Sequence, residues 1–152
     1  LADAGFSIVV YGRDKGGWLK QHLRGPIELR SSVLGVDYTR AMHHGKVAMC
    51  FLRKLNRDQI TQRTMEIAAT ARPQLAEKTD EHDLHFADGR DYVGFADDVD
   101  AIAKARGILA DETLRISLGH SGRNRCLSSG YSTDDRAAEM LAHFARIARR
   151  QQ

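Results

Sequence analysis

Residues 57–73 read RDQITQRTMEIAATARP, and the remainder of the chain is best understood by working outward from this stretch. Apolar or small side chains recur along it at positions 60, 64, 67, 68 and 71, a spacing of three and four that predicts a helix with one buried face. An apolar run at 47–52 and a polar loop at 53–58 precede the helix. The sequence therefore predicts a strand, a loop and the amino end of a helix. In a parallel sheet this is where ligands bind, and the helix dipole favours a phosphate there.

The other segments alternate between strand and helix patterns. Strands are predicted at 7–12, 27–29, 47–52, 73–76 and 92–95, and further helices at 16–24 and 35–44. Three helices are predicted to close the chain. Their candidate N-cap residues are Asp97 or Asp98 for the first, Asp111 or Thr113 for the second, and Ser132 or Thr133 for the last. The alternation predicts one α/β domain over residues 1–152. Its expected core is a single Rossmann-like, doubly wound parallel sheet of about five strands in the order 3-2-1-4-5, with helices on both faces.

Two of the closing helices carry apolar stripes that indicate which face should be buried. The first is expected to turn Val99, Ile102, Ala105 and Leu109 inward. The last is expected to pack on the domain through Ala137, Met140, Leu141, Phe144 and Ile147. If that site is fully buried, Phe144→Ala should cost about 3–5 kcal/mol.

Composition restricts the class of protein more than its function. A hydrophobic content of 42%, a charged content of 28% and a net charge of +3 are ordinary for a globular domain. No apolar run approaches the length of a membrane-spanning helix. Cys50 and Cys126 lack metal or redox spacing, and a buried thiol at Cys50 fits a reducing cytoplasm. Because the chain begins at Leu1 with no signal-peptide pattern, we expect it to be a piece of a longer cytoplasmic protein.

The helix predicted within residues 57–73 also carries a recognisable motif. Thr61, Arg63, Glu66, the pair at 68–69 and Pro73 fit the pattern T-x-R-x-x-E-x-A-A-x-(G)-x-P, which resembles the donor-binding motif of group 1 glycosyltransferases. The similarity is greatest to the spore-maturation CgeB-like branch, and segments at 85–89, 92–95 and 108–111 agree with it. The family's glycine after the glutamate is Ala71 here, which affects close helix–strand packing. The resemblance implies the C-terminal, nucleotide-sugar-binding domain of a two-domain GT-B enzyme, whose N-terminal acceptor domain is absent from this chain.

The resemblance also assigns roles to individual residues. Glu66 corresponds to the glutamate that hydrogen-bonds the donor ribose, and Arg63 would neutralise the diphosphate, so both are expected to be the catalytic pair. Asp58, eight residues before Glu66, has the spacing of a paired acidic motif whose first member contacts the sugar. Without the resemblance, Arg63 and Glu66 would be an exposed ion pair worth about 0.3–0.5 kcal/mol.

Two loops complete the predicted donor site. Gly12, Arg13 and Lys15 follow the first strand, where glycines and cations could accept a diphosphate, although a plain surface turn fits equally well. Asn56 occupies the loop in which a donor should lie, for which a solvated loop is the alternative, and Thr61 lies in the first turn of the helix that follows. His43 and His44 would need a third ligand to hold a metal. By the resemblance no metal cofactor is expected, because cations and a helix dipole assist departure of the diphosphate.

These features predict a hexosyltransferase fragment that takes a sugar from a nucleoside diphosphate sugar to an acceptor hydroxyl, and that transfers nothing alone. The alternative is a non-catalytic α/β module that binds nucleotides or nucleic acid. A nucleic-acid surface would need aromatic residues among its cations, and only Trp18 is near that pattern, so no nucleic acid is expected as a partner. A receiver-like phosphorylation switch would need acidic residues where Arg13 and Arg53 follow the strands.

Overall fold

The computed structural model describes residues 1–13, 17, 21 and 25–150. The strands are β1 (Ile8–Tyr11), β2 (Ile27–Arg30), β3 (Ala48–Cys50), β4 (Gln74–Glu77) and β5 (Val93–Phe95). The helices are α1 (Gly35–Met42), α2 (Gln62–Ala69), α3 (Asp80–His85), α4 (Asp98–Ala110), α5 (Glu112–Ser128) and α6 (Thr133–Arg150). Apart from residues 17 and 21, the helix predicted at 16–24 lies outside the described residues, as does the loop residue Lys15.

All strand pairs are parallel, as predicted, but they form two small sheets. One sheet pairs β1 with β2, and the other has the order β3-β4-β5. The predicted single sheet of order 3-2-1-4-5 is therefore wrong in the position of β3, which pairs with β4. The reason is local: β3, α2 and β4 are consecutive, and a crossover helix of eight residues brings successive parallel strands side by side.

The core is divided between the two faces of the three-stranded sheet. Adjacent residues of β4 illustrate this, since Leu75 belongs to one buried cluster and Ala76 to the other, as the alternation of side chains along a strand requires. The first cluster joins Leu75 to α4 and α5, and its other buried members are Phe95, Ala101, Ala105, Ile108 and Leu118. The second joins Ala76 to α2, to the segment after α3 and to α5, and its other buried members are Cys50, Ile67, Ala68, Phe86, Tyr92 and Cys126. The predicted buried thiol at Cys50 is confirmed.

Helix α2 sits against α5 along the face that its spacing predicted. Thr64, Ile67 and Ala68 are buried. Two glycines let α5 approach closely: a Cβ on Gly119 would collide with the carbonyl oxygen of Ala71, and one on Gly122 would lie 2.6 Å from the carbonyl oxygen of Asp91. Helix α2 is therefore held on one side by close backbone contact with α5 and on the other by the sheet.

The closing helices differ from prediction in which face they bury. In α4 the buried residues are Ala101, Ala105 and Ile108, whereas Val99 is 77% exposed. Aspartates Asp97 and Asp111 cap α4 and α5, as two of the predicted alternatives allowed. Before α6 the Ser132 hydroxyl accepts from the Asp135 N–H.

The expected packing of α6 is wrong for this chain. Its apolar stripe is exposed throughout, with Phe144 at 60% and Leu141 at 70%, and no residue of the helix is buried. Phe144 therefore does not occupy the fully buried site for which a cost of about 3–5 kcal/mol was expected.

Candidate functional site

The site develops at the carboxyl end of β3. After Cys50 the chain makes a loop containing one 3-10 turn, Lys54–Asn56, and enters α2 at the N-cap residue Thr61. No side chain caps this helix. The first N–H groups of a helix have no partner inside it, so this end can receive an anion.

Two contacts with the end of β4 hold the loop in place. The Leu52 N–H donates to Glu77 Oε1 at 3.0 Å, and the Thr79 hydroxyl donates to the carbonyl oxygen of Gln59 at 2.6 Å. Thr79 in turn caps α3, since its hydroxyl accepts from the His82 N–H. The loop is thus fixed to the strand edge on both sides before the helix begins.

Arg63 and Glu66 come together one turn into α2, as their spacing predicted. The Arg63 Nε lies 3.8 Å from Glu66 Oε2, and the two side chains remain 48% and 33% exposed. The Gln62 side-chain amide donates to Glu66 Oε1 at 2.9 Å. The pair is therefore accessible from solvent while its carboxylate is already oriented.

A third residue, Tyr38 of α1, joins the pair. Its hydroxyl donates to Glu66 Oε2 at 2.6 Å and accepts from Arg63 Nη1. Its ring also lies beneath the Arg63 guanidinium, 4.9 Å from the ring centroid to Cζ, a cation–π arrangement. We call Tyr38, Gln62, Arg63 and Glu66 the arginine–glutamate cluster.

The electrostatics of the cluster fix the direction of these hydrogen bonds. Burial, and then the hydrogen bond to Glu66, raise the pKa of the Tyr38 hydroxyl. The phenol therefore stays protonated at neutral pH and donates to the carboxylate. Sequence reasoning missed Tyr38, because a contact across 28 residues leaves no local pattern; a polar aromatic within the predicted helix at 35–44 was the only available signal.

The remaining predicted site residues are distributed over two regions. Thr61 places its hydroxyl 3.7 Å from the Cys50 thiol, Asp58 is half-buried and Asn56 is exposed, all on the loop before α2. Gly12 and Arg13 follow β1 in the other sheet, where the Gly12 N–H donates to the carbonyl oxygen of Arg30. Within the described part of the chain, no hydrogen bond or ion pair joins Gly12 or Arg13 to the arginine–glutamate cluster.

Neighbouring charges at this edge are paired with one another. Lys78 Nζ lies 2.7 Å from Asp88 and 3.7 Å from Asp83, and the hydrogen bond to Asp88 raises the pKa of Lys78. Lys104 donates to Asp100 at 2.8 Å and to the carbonyl oxygen of Gly94. These pairs stabilise the ends of β4 and β5, whereas Arg63 makes a looser ion contact with Glu66.

Three of the histidines make contacts within the fold. His43 ends α1, where its Nδ1 accepts from Arg72, and His85 Nδ1 lies 2.9 Å from the Tyr131 hydroxyl. His82 is buried beside Tyr92. In the ranges that the structure covers, no three histidine, cysteine or acidic residues are arranged to hold a metal ion.

Comparison with known proteins indicates the family of this chain. No curated protein matches the chain. None of the helices described here is long and apolar enough to cross a membrane. The model of the glycosyl transferase-like family matches residues 1–142, a span that includes the loop before α2 and the whole arginine–glutamate cluster. Because that match covers far more than half of the sequence, the chain belongs to the glycosyl transferase-like family.

Proposed function

We propose that this chain is the donor-binding half of a GT-B glycosyltransferase, most similar to the spore-maturation CgeB-like branch. The complete enzyme would take a hexose from a nucleoside diphosphate sugar to an acceptor hydroxyl. The observation that carries the proposal is the arginine–glutamate cluster at the amino end of α2, in a member of a glycosyl transferase-like family.

Glu66 would bind the donor ribose. An ionised carboxylate only accepts hydrogen bonds, and its two oxygens offer about four lone-pair sites. Gln62 uses one site on Oε1 and Tyr38 one on Oε2, which leaves capacity for two ribose hydroxyls. Those two existing bonds orient the carboxylate before the ligand arrives, so less entropy is lost on binding.

Arg63 would bind the diphosphate. The guanidinium has five N–H donors, and Tyr38 occupies one of them. Negative charge develops on the departing diphosphate as the glycosidic bond to the sugar breaks. A preorganised cation and the amino end of α2 stabilise that charge, so no metal ion is required in this scheme.

The acceptor pocket and any general base would come from a second, N-terminal domain of a cytoplasmic parent protein. The exposed stripe of α6 supports this, because Leu141, Phe144 and Ile147 form an apolar face that the described chain does not cover. On this proposal the present chain binds nucleotide and transfers no sugar by itself.

Calorimetric titration of uridine and guanosine diphosphates at fixed salt tests the proposal. Glu66→Gln keeps the size of the side chain but removes its charge, and should weaken binding by about 1.5–3 kcal/mol. Arg63→Lys keeps the charge but loses the planar fork, and should weaken the diphosphates more than uridine alone. Glu139→Gln and Arg146→Lys, both on α6, are the matched controls, since both residues are exposed on a helix that contributes nothing to the cluster.

If neither cluster variant changes affinity, or if the controls change it equally, the donor-site assignment fails. Nucleotide binding without sugar transfer, measured on the complete parent protein with its native acceptor, would instead favour the non-catalytic module.

A further inference from the structure

A polar cleft lies at the amino ends of strands β3 and β4. Its volume is about 310 Å³, and it is lined by His43, Lys46, Arg72, Glu112, Arg115 and His120, together with apolar atoms of the turn before β4. This is the lower end of the size range of about 300–1,000 Å³ for small-molecule sites. The cleft opens where β3 and β4 begin, whereas the arginine–glutamate cluster lies where β3 ends. We call it the amino-edge cleft.

The charge of this cleft is positive and poorly neutralised. Lys46, Arg72 and Arg115 are permanent cations, and Glu112 is the one carboxylate among the lining residues. Glu112 is largely exposed, and its Oε2 is 4.0 Å from Arg115 Nη2. Arg115 instead gives its Nη1 hydrogens to the carbonyl oxygens of Ile108 and Leu109, at 3.0 and 2.5 Å.

Arg72 is held by a neutral group. Its Nε and Nη2 donate to His43 Nδ1 at 3.0 and 2.7 Å. A guanidinium can only donate, so Nδ1 is the acceptor and the ring proton is on Nε2. Burial, and secondarily the charge of Arg72, lower the pKa of His43. The imidazole therefore stays neutral and adds no positive charge beside Arg72. The guanidinium is thus fixed in orientation while its charge is left uncompensated.

The wall of the cleft is also rigid. Ala71 has a φ of 57°, the left-handed conformation that ends α2, and Gly119 of α5 lies directly against its carbonyl oxygen. Arg72 follows at once on this turn. Its backbone is therefore set before any ligand binds, which reduces the entropic cost of capturing one.

We propose that the amino-edge cleft binds a small anion of the phosphate type, held by the Arg72 guanidinium and the Lys46 ammonium. Arginine recognises phosphate oxygens through parallel N–H bonds, and lysine adds a point charge. The site is separate from the donor site, and it does not depend on the proposed glycosyl transfer.

The test is an NMR titration of the chain with inorganic phosphate at constant ionic strength. The amide N–H signals of residues 71, 72, 74 and 112–120 should shift in a saturable manner. Arg72→Gln should weaken that binding at least about tenfold, the loss expected for charge-assisted hydrogen bonds. Lys46→Gln provides a second variant at an exposed position, so a folding defect of Arg72→Gln cannot hide the result.

Arg146→Gln on α6 removes the same charge elsewhere, and Arg63→Lys perturbs only the donor site. Both should leave the phosphate affinity unchanged, so the two sites can fail separately. Sedimentation with phosphatidic acid vesicles shows whether the phosphate belongs to a soluble molecule or to a lipid headgroup. Absence of saturable shifts, insensitivity to both cleft variants, or an equal loss in Arg146→Gln would overturn the proposal.

Discussion

Acid should destabilise this protein through one buried imidazole, that of His82. Its side chain is 0% exposed. The ring stacks on Tyr92 at 4.1 Å between centroids with an interplanar angle of 5°, and meets Phe86 edge-on at 6.1 Å. Neither ring nitrogen has a hydrogen-bond partner among the described residues. A proton added to this ring would create a buried charge, which the nearby carboxylate of Asp83 offsets only in part.

The size of the effect follows from proton linkage. Burial lowers the pKa of His82 from its ordinary 6.5 to about 4, although the nearby charge of Asp83 opposes this. Above pH 6.5 the imidazole is neutral in both states and stability is unaffected by pH. Below pH 6.5 the unfolded chain binds a proton at this imidazole and the folded chain does not. The free energy of unfolding therefore falls by about 1.36 kcal/mol for each pH unit. Over the interval down to about pH 4 the free energy of unfolding should fall by about 3 kcal/mol.

Urea melts between pH 7 and pH 4.5 on the native sequence and on His82→Phe measure this. Phenylalanine keeps a flat ring against Tyr92 but cannot titrate. Carboxylates with lowered pKa values, such as Asp88 and Asp91, also lose stability in acid, but they do so in both proteins and cancel in the difference. His120→Phe on the exposed face of α5 is the control, and should keep the native pH dependence. Parallel pH profiles for the native protein and His82→Phe would refute the reasoning.

Three further substitutions test the packing. Gly119→Ala should lower the free energy of unfolding in a urea melt by about 1–3 kcal/mol, because its Cβ meets backbone; Gly107→Ala in α4, with open space around it, is the control and should be neutral or stabilising. Phe144→Asp should change that free energy by less than about 0.5 kcal/mol, and a larger loss would mean that α6 packs on the domain. Ala71→Gly should raise the thermal midpoint by a few degrees. Glycine relieves a left-handed backbone strain of about 1–2 kcal/mol, which exceeds the stability lost because glycine makes the unfolded chain more flexible. A lower midpoint would contradict this.

Local features of the fold could be predicted from the sequence because they depend on neighbours along the chain. The buried face of α2 follows from the spacing of Thr64, Ile67 and Ala68. The caps at Asp97 and Asp111 follow from single side chains that can reach the next turn. Features that depend on distant partners could not be predicted in this way.

Strand order is one such feature, since nothing in residues 47–52 distinguishes pairing with β4 from pairing with β2. The face of α4 is another, because alanines alternate with isoleucines there and Ala101 and Ile108 compete with Ile102 for the core. In α6 the periodic stripe was correctly recognised, but periodicity shows which side is apolar and not what covers it. The same limit applies to the candidate site, where Arg63 and Glu66 were readable as neighbours and Tyr38 was not.

The alanine at position 71, where the motif that this segment resembles has glycine, has a defined structural consequence. Ala71 follows the C-cap residue of α2 and adopts a φ of 57°, which is the position where helices most often end in glycine. An alanine there costs strain, but its methyl group is not what brings α5 close. The close approach is made from the other side, because Gly119 leaves room for the Ala71 carbonyl oxygen. The alanine therefore strains the backbone of one turn only. Helix α2, with the arginine–glutamate cluster at its other end, stays in contact with α5.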